Sequence, residues 1–352
     1  MRDDSAPRLL TTRRTLLLAL VAPLVVWVLL EGAATLVLGA MADPEDELAI
    51  QDPEWLMHAR NALAGGFFQP DPDVLWTLTP DYEQPTLEDA VWGDEPLRLN
   101  AFGHRSPAMP RDKPEGVRRV MVLGGSHPFG MWVGTSEAYP TVLEGLLNAA
   151  GPHRWQVLNA AAPGHTTFQG RRYLETVGWE FAPDVVVFDL GMNDRLPLSL
   201  DFAAPDHEVA AVPTWASDVA GGASRSAVYR LLRVLLEPPV SAARKEDRMR
   251  VPLERRIDNL RAVQQQAEER GASVLYVSQV YVHAWRGPGA ADCYFDPAQH
   301  GFTPRADVCG LFTDLSDDAG THFVDSVHAD ARGHRLIAER IFATLQQAGW
   351  TR

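Results

Sequence analysis

The chain has 352 residues, 46% of them hydrophobic and 22% charged, which is enough to bury one large core and excludes a disordered chain. Its formal net charge of −14 argues against nucleic acid as a partner, because phosphate groups would be repelled. Its two cysteines are too few for a zinc ribbon or a zinc finger.

An apolar stretch from Leu16 to Ala40 is the first predicted element, and only Glu31 interrupts it. As a helix this stretch would rise roughly 37 Å, which is long enough to cross a bilayer. Arginines lie before it, within residues 1–15, and acidic residues follow it. The positive-inside rule therefore predicts a single-pass anchor of the cytoplasmic membrane, with the rest of the chain outside. A twin-arginine signal cleaved at Ala40–Ala42 is the alternative, and it would also export the chain.

Residues 43–116 are rich in proline and weakly periodic, which indicates an irregular N-terminal segment with short strands and helices. From residue 117 to residue 352, short apolar runs alternate with amphipathic stretches, which predicts buried parallel strands separated by helices. The predicted strands are Arg118–Leu123, Gln156–Ala160, Asp184–Leu190 and Ser273–Ser278.

Three amphipathic stretches predict helices that cover this sheet. In the first, Ser136 is the expected N-cap, Pro140 falls in the first turn and Gly151 follows the end. The other two have apolar residues along one face. These residues are Leu253, Ile257, Leu260, Val263 and Ala267 in the second helix, and Leu336, Ile337, Ile341 and Leu345 in the third, which closes the chain.

Two insertions, residues 195–250 and 281–320, interrupt this pattern, and the first contains an amphipathic piece at Ser226–Leu236. In doubly wound sheets, ligands bind beyond the carboxyl ends of the strands, which is where both insertions begin. Polar residues also follow the predicted strands, and two more precede the last helix. They are Ser126, Asn193, Asp194, Asp325 and His328, with a turn at Gly164.

Four short blocks of the chain resemble those of the SGNH hydrolases, also called the GDSL esterase/lipase superfamily. They are GGSHPFG around Ser126, APGHTTF around Gly164, GMND around Asn193 and DSVH from Asp325 to His328. Their order and spacing match the family, and Leu99–Arg105 is similar to the lead-in of membrane-anchored bacterial members. The usual aspartate before the serine is Gly125 here. The pattern and the resemblance predict a flavodoxin-like three-layer α/β/α sandwich, with a mainly parallel five-stranded sheet, behind one transmembrane helix.

Ser126, His328 and Asp325 have the chemistry of a catalytic triad. A serine hydroxyl is a poor nucleophile until a base takes its proton. His328 is the candidate base, and Asp325 is the group that orients it. The backbone N–H groups of Ser126 and Gly164 and the side-chain amide of Asn193 would form the oxyanion hole.

Other residues near these blocks are candidates for further roles. His127 and His165 border the predicted site and could line a substrate pocket, whereas Trp132 is either a pocket wall or, the preferred assignment, part of the core. His334 is expected to pack at the start of the last helix and is the second candidate for the base. Because export would place the chain in an oxidising space, a disulfide is expected between the two cysteines, Cys293 and Cys309.

These expectations combine into a serine ester hydrolase that acts outside the cytoplasmic membrane on short-acyl esters of carbohydrates, such as acetyl esters. His127, His165, Thr166 and Arg195 could bond a sugar, whereas Tyr229–Leu236 is the one leucine-rich piece. No metal or organic cofactor is implied. The alternatives are an O-acyltransferase acting on exported polysaccharide and an inactive, membrane-tethered glycan-binding module.

Overall fold

A computed structural model of the chain describes residues 6–41, 67–84, 95–196, 206, 226–228, 232, 249–282, 291–313 and 319–351. The chain divides into two compact units. The first comprises Met1–Met57, Ser199–Ala203 and Val212–Ala242, and the second comprises His58–Leu198, Ala204–Ala211 and Ala243–Arg352.

The first unit contains helix α1, Ala6–Met41, which includes the predicted apolar stretch. The carboxylate of Glu31 accepts hydrogen bonds from the Ser226 hydroxyl and the Ala227 N–H, so this charged side chain is paired within the unit. Within the part of the chain that the structure describes, no helix combines the length and the apolar character needed to cross a membrane. Apart from residues 226–228 and 232, the amphipathic piece predicted at residues 226–236 lies outside the described residues.

Short strands form the first described part of the second unit, and residues 67–84 and 95–116 contain none of the predicted short helices. The strands are β1 (Phe68–Asp71), β2 (Leu75–Leu78), β3 (Glu83–Gln84) and β4 (Leu97–Arg98). They pair antiparallel, β1 with β2 and β3 with β4. Phe67, Leu78 and Leu97 pack with Phe129, which follows the predicted nucleophile. This segment therefore supports the turn that carries Ser126.

The remaining strands in chain order are β5 (Val117–Gly124), β6 (Arg154–Asn159), β7 (Val185–Asp189), β8 (Ser273–Val277), β9 (Gln279–Val282), β10 (Ala291–Phe295) and β11 (Arg305–Ala306). Five of them form one sheet in the order β11-β8-β7-β5-β6, in which every neighbouring pair is parallel. This is the doubly wound order of flavodoxin-like folds, and it reverses between β5 and β7. The four predicted strands are confirmed, whereas β11 lies inside the region predicted as an insertion.

Helices cover both faces of this sheet. In chain order they are α2 (Ser126–Phe129), α3 (Tyr139–Ala150), α4 (Thr167–Thr176), α5 (Leu253–Glu269), α6 (Val308–Thr313) and α7 (Ala331–Gln347). Val120 and Val122 of β5 pack with α3 and α7 on one face, whereas Met121 and Leu123 pack with α4 and α5 on the other. Burial on both faces explains why β5 is apolar from Val120 to Leu123, and the three-layer α/β/α architecture is confirmed.

Two details of the predicted helices are wrong. Ser136 is not an N-cap, because α3 begins at Tyr139 and Ser136 instead donates two hydrogen bonds to the carboxylate of Glu95. Leu253 is 42% exposed, because it is the first residue of α5 and extends beyond the buried part of the helix face. The apolar stripe of α7 is correct at Ile337, Ile341 and Leu345, which are buried.

A disulfide between Cys293 and Cys309 joins β10 to α6. Because β10 pairs with β9, the disulfide also fixes the β9–β10 hairpin against the sheet. The N–H of Val282, at the end of β9, donates to the carbonyl of Ser326 at 2.8 Å. The hairpin thus reaches the segment that contains the predicted aspartate and histidine.

Candidate active site

Ser126 begins α2 directly after β5 and two glycines. A Cβ at Gly124 would lie 1.9 Å from the ring of Pro128, and a Cβ at Gly125 would lie 2.6 Å from the amide nitrogen of Asn193. A side chain does not fit at Gly124, where the chain turns from strand to helix, whereas a side chain at Gly125 would displace the movable amide of Asn193. The serine therefore lies at the carboxyl edge of the sheet, where the strand order reverses between β5 and β7.

Three polar side chains from two distant segments form a continuous hydrogen-bonded chain. Oγ of Ser126 lies 2.7 Å from Nε2 of His328, and Nδ1 of His328 lies 2.6 Å from Oδ2 of Asp325. With its proton on Nδ1, the imidazole donates to the carboxylate and accepts from the hydroxyl. The structure brings together the three residues that the sequence predicts for a triad.

The spacing of the last block has a local structural cause. Oδ1 of Asp325 accepts hydrogen bonds from the N–H groups of Val327 and His328, at 2.8 and 2.7 Å. A short bridge between Phe323 and Ala329 closes the segment. Because the carboxylate holds its own turn together with one oxygen, the other oxygen remains directed at the imidazole ring.

This environment also sets the ionisation of Asp325. Burial raises its pKa, but the hydrogen bond and charge of His328, together with the N–H groups of Val327 and His328, lower that pKa to about 2. The carboxyl group is therefore ionised at neutral pH. An ionised carboxylate can stabilise the imidazolium that forms when His328 takes a proton.

The side-chain amide of Asn193, one of the predicted oxyanion-hole groups, lies beside the turn that carries Ser126. Asn193 follows β7 in a 3₁₀ turn, and its amide donates to the carbonyl of His165 at 3.0 Å. Gly164 has a φ of +79°, a left-handed conformation that favours glycine. Among the described residues, neither the Ser126 N–H nor the Gly164 N–H has a hydrogen-bond acceptor. Both groups are available as donors to a bound oxygen atom.

Asp194, the neighbour of Asn193, fixes this turn through buried contacts of its carboxylate. Its buried carboxylate accepts hydrogen bonds from the backbone N–H and the hydroxyl of Thr167, and it pairs with Arg256 at 3.2 Å. Burial raises the pKa of Asp194, and the charge of Arg256 and the bonds from Thr167 oppose that effect. These contacts connect the Asn193 turn to α4 and α5, which holds the amide near Ser126.

The other three histidines near the site make mainly structural contacts. The ring of His165 is buried and its Nε2 lies 3.0 Å from the carbonyl oxygen of Trp76, so this ring supports its loop and does not line a pocket. His127 is partly buried, stacks on His334 and lies 3.6 Å from the carboxylate of Asp189. His334 is fully buried and accepts the Tyr139 N–H at Nδ1, which agrees with a packing role.

Two residues expected to bond a sugar are engaged elsewhere. The hydroxyl of Thr166 is buried and lies 2.6 Å from the carboxylate of Asp206, and Thr166 also caps α4. Arg195 is exposed, but its guanidinium stacks over Tyr294 and donates to the carbonyl of that residue. Of these two, only Arg195 remains at the surface.

Trp132 is the residue that sequence reasoning placed wrongly. It is 37% exposed and not part of the core, and its indole N–H donates to Oδ2 of Asp325 at 3.0 Å. Its position two residues after Gly130, close to the block around Ser126, was the available signal that it lies near the site. The left-handed backbone of Trp132, with a φ of +70°, is what turns the side chain outward, and no sequence pattern indicates it.

Comparisons with known proteins agree with this arrangement. Residues 122–336 match the model of the GDSL-like Lipase/Acylhydrolase family, which is more than half of the chain. A search of curated proteins gave no match.

Several solved structures are similar at low identity. LAE5, an alpha/beta hydrolase enzyme from the metagenome of Lake Arreo, Spain, is 15% identical with a TM-score of 0.42, and the similarity covers 67% of this chain and 96% of that one. TesA is 19% identical with a TM-score of 0.41, covering 65% and 99%. Axe2, an acetylxylan esterase from Geobacillus stearothermophilus, is 16% identical with a TM-score of 0.41, covering 65% and 94%.

The family match spans the serine, glycine and asparagine blocks and the final Asp-x-x-His block in their order along the chain. The chain belongs to the GDSL-like lipase/acylhydrolase family and is an enzyme that hydrolyses ester bonds.

Proposed function

We propose that the chain hydrolyses esters through a serine mechanism with Ser126 as the nucleophile. The observation that carries this proposal is the hydrogen-bonded chain from Oγ of Ser126 through His328 to Asp325, with contacts of 2.7 and 2.6 Å. An imidazole between a hydroxyl and an ionised carboxylate is the arrangement that activates a serine for attack on a carbonyl carbon.

In the first half-reaction, Oγ of Ser126 attacks the ester carbonyl carbon while its proton moves to Nε2 of His328. The carbonyl oxygen becomes an oxyanion, which accepts hydrogen bonds from the N–H groups of Ser126 and Gly164 and from the amide of Asn193. The bond from the carbonyl carbon to the alcohol oxygen then breaks. The leaving alcohol takes the proton from His328, and an acyl-serine remains.

In the second half-reaction, a water molecule takes the place of the alcohol. His328 removes a proton from this water, and the water oxygen attacks the acyl carbon. The bond to Oγ of Ser126 breaks and the proton on His328 returns to Oγ. The carboxylic acid product then leaves, and the enzyme is restored.

The substrate class we propose is short-acyl esters of carbohydrates, such as acetyl esters. A lipase needs a broad apolar groove beside its serine. In the described part of the second unit, the exposed large apolar side chains are Trp132, Leu253 and Val324. Only Trp132 and Val324 belong to the segments that carry the triad, and two side chains give little surface to a long acyl chain.

Replacing the nucleophile tests the mechanism. In Ser126→Ala, hydrolysis of p-nitrophenyl acetate should fall to the uncatalysed rate while the melting temperature stays close to that of the wild type, because the turn tolerates a small side chain. Retention of the wild-type kcat by Ser126→Ala would show that another group is the nucleophile.

A series of p-nitrophenyl esters with two to eight acyl carbons tests the substrate class. Each methylene bound in an apolar groove contributes about 0.8 kcal/mol, so a lipase would show kcat/KM rising steeply with length. We expect a flat or falling series, and a steep rise would overturn the short-acyl proposal.

Adding an acceptor sugar distinguishes hydrolysis from transfer, because transfer would yield the acylated sugar in place of the free acid.

We further propose that the reaction takes place outside the cytoplasmic membrane. The arginines before Leu16 and the acidic residues after Ala42 support this orientation, as does the disulfide between Cys293 and Cys309. A reporter fused after Arg352 that needs an oxidising compartment should be active. Activity only of a reporter that works in the cytoplasm would contradict the proposed location.

A further inference from the structure

The carboxylate of Asp325 accepts four hydrogen bonds, and one of them comes from outside its own turn. Val327 and His328 provide two backbone bonds to Oδ1, and the ring of His328 provides one to Oδ2. The fourth donor is the indole N–H of Trp132, which lies 3.0 Å from Oδ2. Oδ2 of Asp325 thus accepts hydrogen bonds from both the imidazole of His328 and the indole of Trp132.

The indole bond also links the segment after the nucleophile to the segment that carries the acid. Trp132 lies six positions after Ser126, whereas Asp325 lies in the turn before α7. Ser126 and His328 form the other side-chain hydrogen bond between these segments among the described residues. The hydrogen bond from the indole therefore fixes Asp325 relative to the segment of Ser126 by a second link, which does not involve the imidazole of His328.

The backbone around Trp132 is held in an unusual conformation. Trp132 has a φ of +70°, which is uncommon for a bulky side chain and occurs where the surrounding structure enforces it. The buried guanidinium of Arg105 provides that constraint, because it donates to the carbonyls of Phe129, Gly130 and Val133 at 3.1, 2.6 and 2.8 Å. These contacts bracket Trp132 on both sides and aim its side chain at Asp325.

Packing alone does not account for this position. Trp132 is 37% exposed, so more than a third of its surface gains nothing from burial. What the conformation provides is the hydrogen bond to the carboxylate of Asp325.

We propose that Trp132 is a positioning residue for the catalytic acid. Its indole N–H holds Oδ2 of Asp325 at the distance and angle that keep the proton of His328 on Nδ1, so that Nε2 remains free to accept the proton of Ser126. This inference rests on the proposed serine mechanism.

Trp132→Phe, which keeps an aromatic ring but lacks the N–H, is the direct test in the full-length chain. We expect kcat for p-nitrophenyl acetate to fall about 10- to 100-fold with little change in KM, the size of loss typical when a hydrogen bond to a charged group is removed. Trp179→Phe is the matched control, because that indole also donates to a side chain, Gln266, at 2.9 Å. The control should keep the wild-type kcat.

A double-mutant cycle separates positioning from general structural loss. If Trp132 acts through Asp325, Trp132→Phe should have almost no effect on kcat in the Asp325→Asn background, because the group it positions is already altered. An equal loss in both backgrounds, or a kcat of Trp132→Phe within about twofold of the wild type, well short of the expected loss, would overturn the proposal.

A measurement on the wild type keeps the test independent of activity and of the folding of Trp132→Phe. The indole N–H resonance of Trp132 should exchange slowly with solvent, and Asp325→Ala should move it and speed its exchange while the Trp179 resonance stays unchanged. An indole that exchanges equally fast in both proteins would refute the hydrogen bond. If Ser126→Ala retained activity while the resonance behaved as expected, the serine mechanism would fail and the bond would remain.

Discussion

Gly125 occupies the position where the GDSL family usually has an aspartate. A Cβ at this position would lie 2.6 Å from the amide nitrogen of Asn193, which is the end of a movable side chain. The absence of a side chain lets the Asn193 amide approach the backbone just before Ser126. At the scale of single residues, the departure from the family pattern therefore affects the position of Asn193, the side chain proposed as an oxyanion-hole donor.

Gly125→Ala should displace this amide and leave the fold intact. We expect kcat/KM for p-nitrophenyl acetate to fall by ~10²–10³, the usual loss for one oxyanion-hole donor. Gly145→Ala is the control, because Gly145 is exposed in α3 and a Cβ there meets nothing within 4 Å. Wild-type activity in Gly125→Ala would indicate that Asn193 does not contribute to the oxyanion hole.

At the scale of elements, the β9–β10 hairpin connects the disulfide to the catalytic turn. The bond between Cys293 and Cys309 attaches the hairpin to α6, and Val282 of β9 donates to the carbonyl of Ser326 in the turn between Asp325 and His328. The disulfide is therefore linked, through β10, β9 and this hydrogen bond, to the turn that orients the imidazole.

Replacing both Cys293 and Cys309 with serine should lower the free energy of unfolding by roughly 3 kcal/mol, as the chain-entropy model gives for a loop of this size. Urea denaturation of the wild type and the double variant, each with and without dithiothreitol, measures this. Reductant should destabilise only the wild type. Equal stability of the wild type with and without reductant would count against a structural disulfide.

At the scale of the whole molecule, buried neutral histidines make the fold sensitive to acid. Burial lowers the pKa of His104 to about 3 and that of His165 to about 4, from an ordinary value of 6.5, and it also lowers the pKa of His334 well below 6.5. The unfolded chain therefore binds protons that the folded chain does not. The contribution of these histidines to stability is fully present above their pKa in the unfolded chain. It is lost as the pH falls toward their lower pKa values in the folded chain.

The free energy of unfolding should accordingly fall between about pH 6.5 and pH 4, by ~1.4 kcal/mol for each unit of pKa difference that is crossed. His104→Gln can still bond the hydroxyl of Tyr173 but does not titrate, so its stability should fall less steeply over this range. Chemical denaturation at several pH values gives both slopes. Parallel slopes for the two proteins would show that His104 does not remain neutral in the fold.

How far the sequence predicts this molecule depends on whether the deciding contacts are local. The run from Val120 to Leu123 in β5 is apolar because it is buried on both faces, and the Asp-x-x-His spacing follows from a carboxylate bonded to its own turn, so both could be recognised. β11 has only two residues, too few to leave a pattern. The exposure of Trp132 and the burial of His165 depend on Arg105 and Trp76, residues distant in sequence.

The most direct test of the central claim is covalent labelling of the full-length chain with a fluorophosphonate, which reacts with activated serine hydroxyls, followed by peptide mass spectrometry. The hydrogen-bonded chain from Ser126 to Asp325 predicts a single adduct on Ser126, absent from Ser126→Ala and formed far more slowly in His328→Ala. An adduct on a different serine, or equal labelling rates in the wild type and His328→Ala, would contradict activation of Ser126 by His328.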